Sequence, residues 1–296
     1  MERAFVTGID GFTGRYLATE LRAAGFDVSG TVVPANEPSP SNVYQCDLCD
    51  REATRAALAD AKPDVVVHLA GIAFVGHGDV DAVYRTNVVG TRNLLDAISA
   101  CGHMPRTILL ASSSNIYGNA TTAIIDESTP PAPANDYAVS KLAMEYMAKL
   151  WMDRLPINFV RPFNYTGVGQ STQFLLPKIV DHFKRRAPVI ELGNLDVIRD
   201  FSDVRTVVRC YRLLTETSQH GEAFNICSGT GHSLLEVVSM VRMLSGHDLD
   251  VVVNPAFVRS NDVHKLIGSR TKLEAAIGPM ESIHIQETLQ WMLDAA

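Results

Sequence analysis

A short apolar run, Arg3-Ala-Phe-Val-Thr7, passes straight into Gly8-Ile-Asp-Gly11-Phe-Thr-Gly14 and then into a helical stretch. Strand, glycine turn and helix in that order leave few folds open. Gly8 permits the tight turn, Gly11 lets the backbone approach a pyrophosphate, and Gly14 lets helix and strand pack closely. The free N–H groups of the helix N-terminus would then hold the phosphates. A glycine trio alone is weak evidence. This one sits between a strand and a helix, the context in which such a turn binds a dinucleotide.

The alternation continues. Residues 12–24 read as a helix ending at Gly25, 27–33 as a strand, 50–61 as a helix and 65–69 as a short, fully apolar strand. A long helix is expected over 79–100, a strand over 106–112, a helix over 137–154 and a strand over 157–161. β-Branched strands without in–out alternation belong to a parallel sheet covered on both faces. Right-handed crossovers then give a doubly wound Rossmann α/β fold. After about residue 165 the regularity breaks up, and the loops at 164–170 and 193–203 carry Gly, Asn, Arg and Asp. The expected division is a dinucleotide-binding Rossmann domain over 1–165, with later segments (about 195–230) returning to it. Residues 166–296 would form mainly a smaller C-terminal α/β lobe over the sheet's C-terminal edge, where such sheets bind ligands. Residues 223–226 could be a strand of either part.

Composition excludes several partners. A net charge of −7 with no Lys/Arg-rich run leaves no footprint for nucleic acid. The longest apolar runs, such as 64–73, are too short to span a bilayer, and the N-terminal run is too short and interrupted for a signal peptide. Five scattered cysteines fit reduced thiols in the cytoplasm; Cys46 and Cys49 have metal-pair spacing, but no second pair completes a metal site.

Tyr137-Ala-Val-Ser-Lys141 opens a helix, so Tyr and Lys share one face a single turn apart. An ammonium beside a phenol favours phenolate, and Tyr137 can then exchange a proton with a carbonyl/alcohol pair. Upstream, Ser112-Ser-Ser-Asn-Ile-Tyr-Gly118 ends a parallel strand, where a hydroxyl can reach the same substrate oxygen.

On these residues the chain resembles the extended short-chain dehydrogenase/reductase (NAD-dependent epimerase/dehydratase) family over its whole length, from Gly8 to Trp291. The resemblance implies Ser113, Tyr137 and Lys141 as the catalytic triad. It implies NAD(P)H as cofactor, bound by Gly8, Gly11, Phe12, Thr13, Gly14, Val32, Asp47, Leu48, Leu69, Ala70, Gly71, Asn87, Tyr137, Lys141 and Pro162. The second strand ends in Thr31-Val-Val-Pro34, with neither the acidic residue that favours NAD nor the Arg that favours NADP. His68 reads as a satisfied strand-end histidine, and Asp47 reads either as an adenine contact or as a helix N-terminal residue.

A nucleotide-diphosphate sugar is the implied substrate, contacted by Ser114, Asn115, Asn164, Gln170, Arg199, Arg259 and Asp262. Two guanidinium forks suit a diphosphate; the alternative for Arg199 is an ion pair with Asp200 or Asp203. Sugar dehydratases of this family follow the catalytic Ser/Thr with Asp-Glu. This chain has Ser114-Asn115, which disfavours dehydration. The C-terminal phrases, with Asn225-Ile-Cys-Ser-Gly229 and Leu266-Ile-Gly-Ser269, are most similar to GDP-4-keto-6-deoxy-D-mannose reductases. Val168 replaces that group's Pro, and Tyr165 its usual His.

The expected activity is therefore reduction of the 4-keto group of a nucleotide-6-deoxyhexose, giving GDP-D-rhamnose. The rival is a C4 epimerase or 4-dehydrogenase on a related sugar such as dTDP-L-rhamnose or a UDP-hexose. A non-catalytic NAD(P)-sensing regulator is disfavoured, because Tyr137 and Lys141 are both kept. The helices at 79–100 and 137–154 are those that relatives pair into a four-helix homodimer interface; the Ala-rich faces of the second (Ala138, Ala143, Ala148) fit this, although a monomer's core would also use them.

Overall fold

The computed structural model describes residues 1–35, 39–73, 78–258 and 263–295. The first half of the chain comprises β1 (Arg3–Thr7), α1 (Phe12–Ala23), β2 (Asp27–Val32), β3 (Val43–Gln45), α2 (Arg51–Ala61), β4 (Val65–His68), α3 (Val80–Tyr84), α4 (Thr91–Ala100), β5 (Thr107–Ala111), α5 (Asp136–Lys149) and β6 (Ile157–Pro162). Then come β7 (Asn164–Thr166), α6 (Leu175–Lys184), β8 (Val189–Leu192), β9 (Ile198–Asp203), α7 (Val204–Thr215), β10 (Ala223–Ile226), β11 (Gly231–Ser233), α8 (Leu234–Ser245), β12 (Asp250–Val253), β13 (Lys265–Leu266), α9 (Thr271–Ile277) and α10 (Ile285–Asp294).

Seven strands form one parallel sheet in the order β10-β6-β5-β4-β1-β2-β3. The chain runs outward from β1 to β3, then crosses back to β4 on the other side of β1. The loops leaving β1 and β4 therefore diverge at the carboxyl ends of adjacent strands, which opens a crevice there. Alternate side chains divide between the two faces. Ala4, Val6, Val65, Val67 and Leu109 pack against α1 and α7, while Phe5, Val66, Ile108 and Leu110 pack against α2, α4 and α5. Burial on both faces explains the absence of alternation in the sequence.

The rest of the chain forms a second core. Ile179 and Phe183 of α6, Val237 and Val241 of α8 and Leu289 of α10 pack against Ile190 and Leu192 of β8. Strand β9 joins β7, β11 and β13, so the loops expected at 164–170 and 193–203 each contain a strand. Buried Asp200 ties this small sheet to β10, accepting the backbone N–H groups of Ser228 and Gly229 at 2.8 and 2.9 Å. Strand β10 itself lies at the edge of the large sheet.

Two helices differ from expectation. The 79–100 stretch is continuous but widens into a π-helical segment, Arg85–Gly90, between α3 and α4. There Thr91 Oγ1 donates to the Asn87 carbonyl at 2.7 Å, so a side chain competes for the backbone ladder. The helix expected to reach 154 ends at Lys149. Its last residues tighten into i→i+3 turns (Trp151 N–H to Ala148 O, 2.9 Å) before Pro156 forces extension. Ala138 and Ala148, expected on an intersubunit face, are fully buried in the chain's own core.

Candidate active site

The glycine turn folds as its residue types require. Gly8 has φ +68°, and a Cβ on Gly14 would fall 2.1 Å from the Gly8 carbonyl oxygen. Only hydrogen at position 14 lets the first turn of α1 sit this close to β1. Thr7 Oγ1 accepts the backbone N–H groups of Leu69 and Ala70, at 3.1 and 3.0 Å, and so fixes the turn after β4 beside the glycines. With both acceptor positions used, the Thr7 proton goes to His68 Nδ1 at 2.7 Å. The other nitrogen, Nε2–H, then donates to Thr91 Oγ1 at 2.8 Å. Burial presses the imidazole pKa down to about 3, so His68 is a neutral structural link, as its strand-end position suggested.

A Cβ on Gly8 would touch Ala70, and one on Gly71 would lie 3.4 Å from Lys141 Nζ. The turn after β4 thus stands between the glycine turn and the ammonium of α5. Asn135 caps α5, accepting the Ala138 N–H at 2.9 Å, and so aims the helix's first turn at the crevice. Lys141 is buried and donates to the Ala111 carbonyl at the end of β5 at 2.8 Å. Burial presses its pKa down to about 8, with Glu145 opposing. Burial pushes half-buried Tyr137 up to about 12, against a hydrogen bond with the Ser113 hydroxyl. Ser113, Tyr137 and Lys141 are thereby brought together, with a neutral phenol available to donate a proton.

Other candidates stand as follows. Asn115 Nδ2 donates to Ser113 Oγ at 3.1 Å, so Asn115 orients that hydroxyl, and Ser114 is buried beside it. Asn87 spends its amide on Ile72 and Ser140, holding the post-β4 turn against α5. Thr13 Oγ1 and Tyr165 OH are hydrogen-bonded at 2.8 Å, and Phe12 stacks on the Tyr165 ring. The Tyr in place of His therefore clasps the glycine turn. Gln170 is engaged by Thr166 and the Tyr165 carbonyl, within its own loop.

Asn164 Nδ2 and Ser112 Oγ are buried without a hydrogen-bond partner among the described residues, and a bound ligand would satisfy such atoms. Pro162, half-buried, ends β6 two residues before Asn164. Arg199 Nη1 donates to the carbonyls of Ile198 and His264, at 3.0 and 3.4 Å. The carboxylates once considered for it are used elsewhere: Asp200 by Ser228 and Gly229, Asp203 by Arg205. Asp47 is exposed and closes its own turn onto the Cys49 N–H; the N-cap of α2 is Asp50. Leu48 is buried against Gly90. Arg259 and Asp262 lie outside the described residues.

Sequence reasoning missed Thr7, Asp200 and a buried ion pair, Glu145–Arg161. A signal for the pair existed: Arg161 stands inside an otherwise apolar strand, where a charge requires a buried partner.

Val32 ends β2 half-buried, and the described residues that follow it, Val33, Pro34 and Ala35, carry no charge to read the adenosine ribose. Discrimination between NADH and NADPH should accordingly stay within about two orders of magnitude. The ratio of kcat/KM for the two measures it, and a stricter preference would reveal an unrecognised contact to the ribose 2′ position.

Comparison with known proteins adds to this geometry. The model of the NAD dependent epimerase/dehydratase family matches residues 4–227. GDP-6-deoxy-D-talose 4-dehydrogenase of Aggregatibacter actinomycetemcomitans is 35% identical over 280 residues, covering 93% of this chain and 91% of that protein. GDP-6-deoxy-D-mannose reductase of Pseudomonas aeruginosa PAO1 is 32% identical over 303 residues, covering 99% and 96%. A solved structure from Burkholderia cenocepacia J2315, provisionally named an epimerase, is 55% identical with a TM-score of 0.93, covering 99% of this chain and 97% of that one.

Proposed function

The chain belongs to the NAD dependent epimerase/dehydratase family, and on that premise we propose that it is an NAD(P)H-dependent reductase of nucleotide-6-deoxyhexose 4-ketones. The preferred substrate is GDP-4-keto-6-deoxy-D-mannose, giving GDP-D-rhamnose. The observation that carries this reading is the meeting of Tyr137 with Ser113 beside Lys141, whose ammonium lies against the post-β4 turn that itself packs on the glycine turn.

The residues present fit a nicotinamide dinucleotide, since Gly8, at φ +68°, and Gly14, whose Cβ would meet the Gly8 oxygen, let the N-terminus of α1 close up on β1 beside the post-β4 turn. When bound, the dinucleotide supplies the hydride that reduces the ketone carbon. Ser113, oriented by Asn115, holds the carbonyl oxygen, and Tyr137 gives that oxygen its proton. The Lys141 ammonium stabilises the phenolate left behind. Asn164, whose buried amide has no partner among the described residues, would hydrogen-bond the sugar, and Arg199 would take the diphosphate. Residues 1–165, with the returning α7 and β10, would hold the cofactor, and the remainder the nucleotide-sugar.

The rival is the 4-dehydrogenase, favoured by the 35% identical relative. Both reactions share the ketone and differ in configuration at C4. Incubation with GDP-4-keto-6-deoxy-D-mannose should consume one equivalent of NAD(P)H per product, whose C4 configuration NMR then reads. Interconversion of two 4-hydroxy sugars on tightly bound NAD, with no reductant consumed, would instead establish an epimerase.

For the assembly, we infer a cytoplasmic homodimer, in keeping with five free thiols and an exposed apolar face of α5. Val139, Tyr146 and Leu150 share that face at i, i+7 and i+11, 38%, 59% and 76% exposed, and would form a four-helix interface with α4. Among the described residues, no helix is long and apolar enough to cross a membrane.

A further inference from the structure

One turn behind Lys141, α5 carries Glu145, a carboxylate only 1% exposed. Its oxygens accept a fork of hydrogen bonds from Arg161 of β6, Nε–H at 2.9 Å and Nη2–H at 2.7 Å. The remaining guanidinium nitrogen, Nη1, donates to the Tyr117 hydroxyl at 2.9 Å, and the group lies 5.3 Å from the centre of the Tyr117 ring. Tyr117 closes the turn that begins at Ser113, and its own hydroxyl donates to Asn225 Oδ1 of β10 at 2.7 Å. One guanidinium therefore grips the helix of Tyr137 and Lys141 with one edge and the turn of Ser113 with the other. As a stabiliser alone such a pair is poor, because desolvating two charges offsets most of their attraction.

We propose that Glu145 and Arg161 are positioning residues of the site: the Glu145 carboxylate keeps Lys141 charged, and the Arg161 fork fixes the Ser113 turn against the helix of Tyr137. This rests on the catalytic roles given above to Ser113, Tyr137 and Lys141. The charge argument follows from what surrounds the two groups. Lys141 is faced by Tyr137 and Glu145 on its own helix, by neutral His68 at the end of β4, and by Arg161 of β6 only beyond Glu145. Tyr165 of β7 faces Tyr137. Glu145 is faced by Lys141, Arg161 and Tyr117, and Glu127 approaches Arg161 through its carbonyl. Residues at i and i+4 on a helix are neighbours, so the carboxylate acts on the ammonium from one turn away. With that charge removed, Lys141 faces the unpaired positive charge of Arg161 and loses its proton at lower pH.

The first measurement needs no substrate. In protein labelled with [13Cε]lysine, the Lys141 signal is identified by its loss in Lys141→Arg and followed through a pH titration. Glu145→Gln should lower its pKa by at least about half a unit. Because Glu145→Gln leaves Arg161 buried without a partner, Glu145→Gln/Arg161→Met is measured beside it, with a smaller shift of the same sign expected. Arg161→Lys keeps both charges without the fork; it should leave the Lys141 titration in place and lower kcat at unchanged KM. Lys141 titrating as in the wild type in both variants that lack the carboxylate overturns the proposal. A shifted Lys141 in a protein that reduces no 4-keto sugar overturns the proposed function instead and leaves the pair's electrostatic role standing.

Discussion

Tyr137→Phe is expected to lower kcat by about two to four orders of magnitude while cofactor and nucleotide bind as before. The ring stays in place at the start of α5, so the packing around it is kept. What disappears is the one hydroxyl that burial holds protonated, at a pKa of about 12, beside Ser113. Neither neighbour can replace it as the proton donor. The aliphatic hydroxyl of Ser113 is a far weaker acid than a phenol, and Lys141 is held by the Ala111 carbonyl and shielded by the post-β4 turn. Single-turnover rates with calorimetric titration of cofactor and nucleotide separate the two effects. A variant within about tenfold of wild-type turnover would refute the role given to Tyr137.

Gly14→Ala should cost the protein its cofactor. The new methyl would sit 2.1 Å from the Gly8 oxygen and 2.8 Å from Ile9, all backbone atoms that cannot swing aside. Helix α1 must move off β1, and the amides at its N-terminus leave the positions in which they meet a pyrophosphate. Alanine's better helix propensity, about 1 kcal/mol, recovers part of the stability. Overpacking costs about 1–3 kcal/mol, so thermal stability should fall modestly. Affinity for NAD(P)H should fall more, by about a hundredfold or beyond, which corresponds to about 3 kcal/mol. Fluorescence titration of the cofactor reads this directly, and wild-type affinity would mean that the pyrophosphate lies elsewhere.

What could be read from the sequence follows from what is local. The β1–α1 turn was legible because glycine is the only residue that fits Gly14. Tyr137 and Lys141 were legible because one helical turn separates them whatever surrounds them. The inner strands were legible because burial on both faces removes polar residues from them. Strand β9 was not: Ile198–Asp203 carries three charges, and only tertiary partners, Ser228 for Asp200 and Thr288 for Asp203, make it a strand. The π-helical segment was hidden for the same reason, since Asn87 is drawn to Ile72 and Ser140, far away in sequence. The alanines of α5 left two readings open, because small residues suit a helix packed on its own core as well as one packed on a partner.

The central claim is that this site moves a hydride from a nicotinamide to C4 of the sugar while Tyr137 protonates O4. Reduction of GDP-4-keto-6-deoxy-D-mannose with stereospecifically [4-2H]-labelled NADH and NADPH tests it most directly, read by mass spectrometry and NMR of the product. From one face of the nicotinamide, the product should carry one deuterium at C4, with one equivalent of cofactor oxidised. A product without deuterium at C4 from either labelled face, or with deuterium at another carbon, would contradict the account.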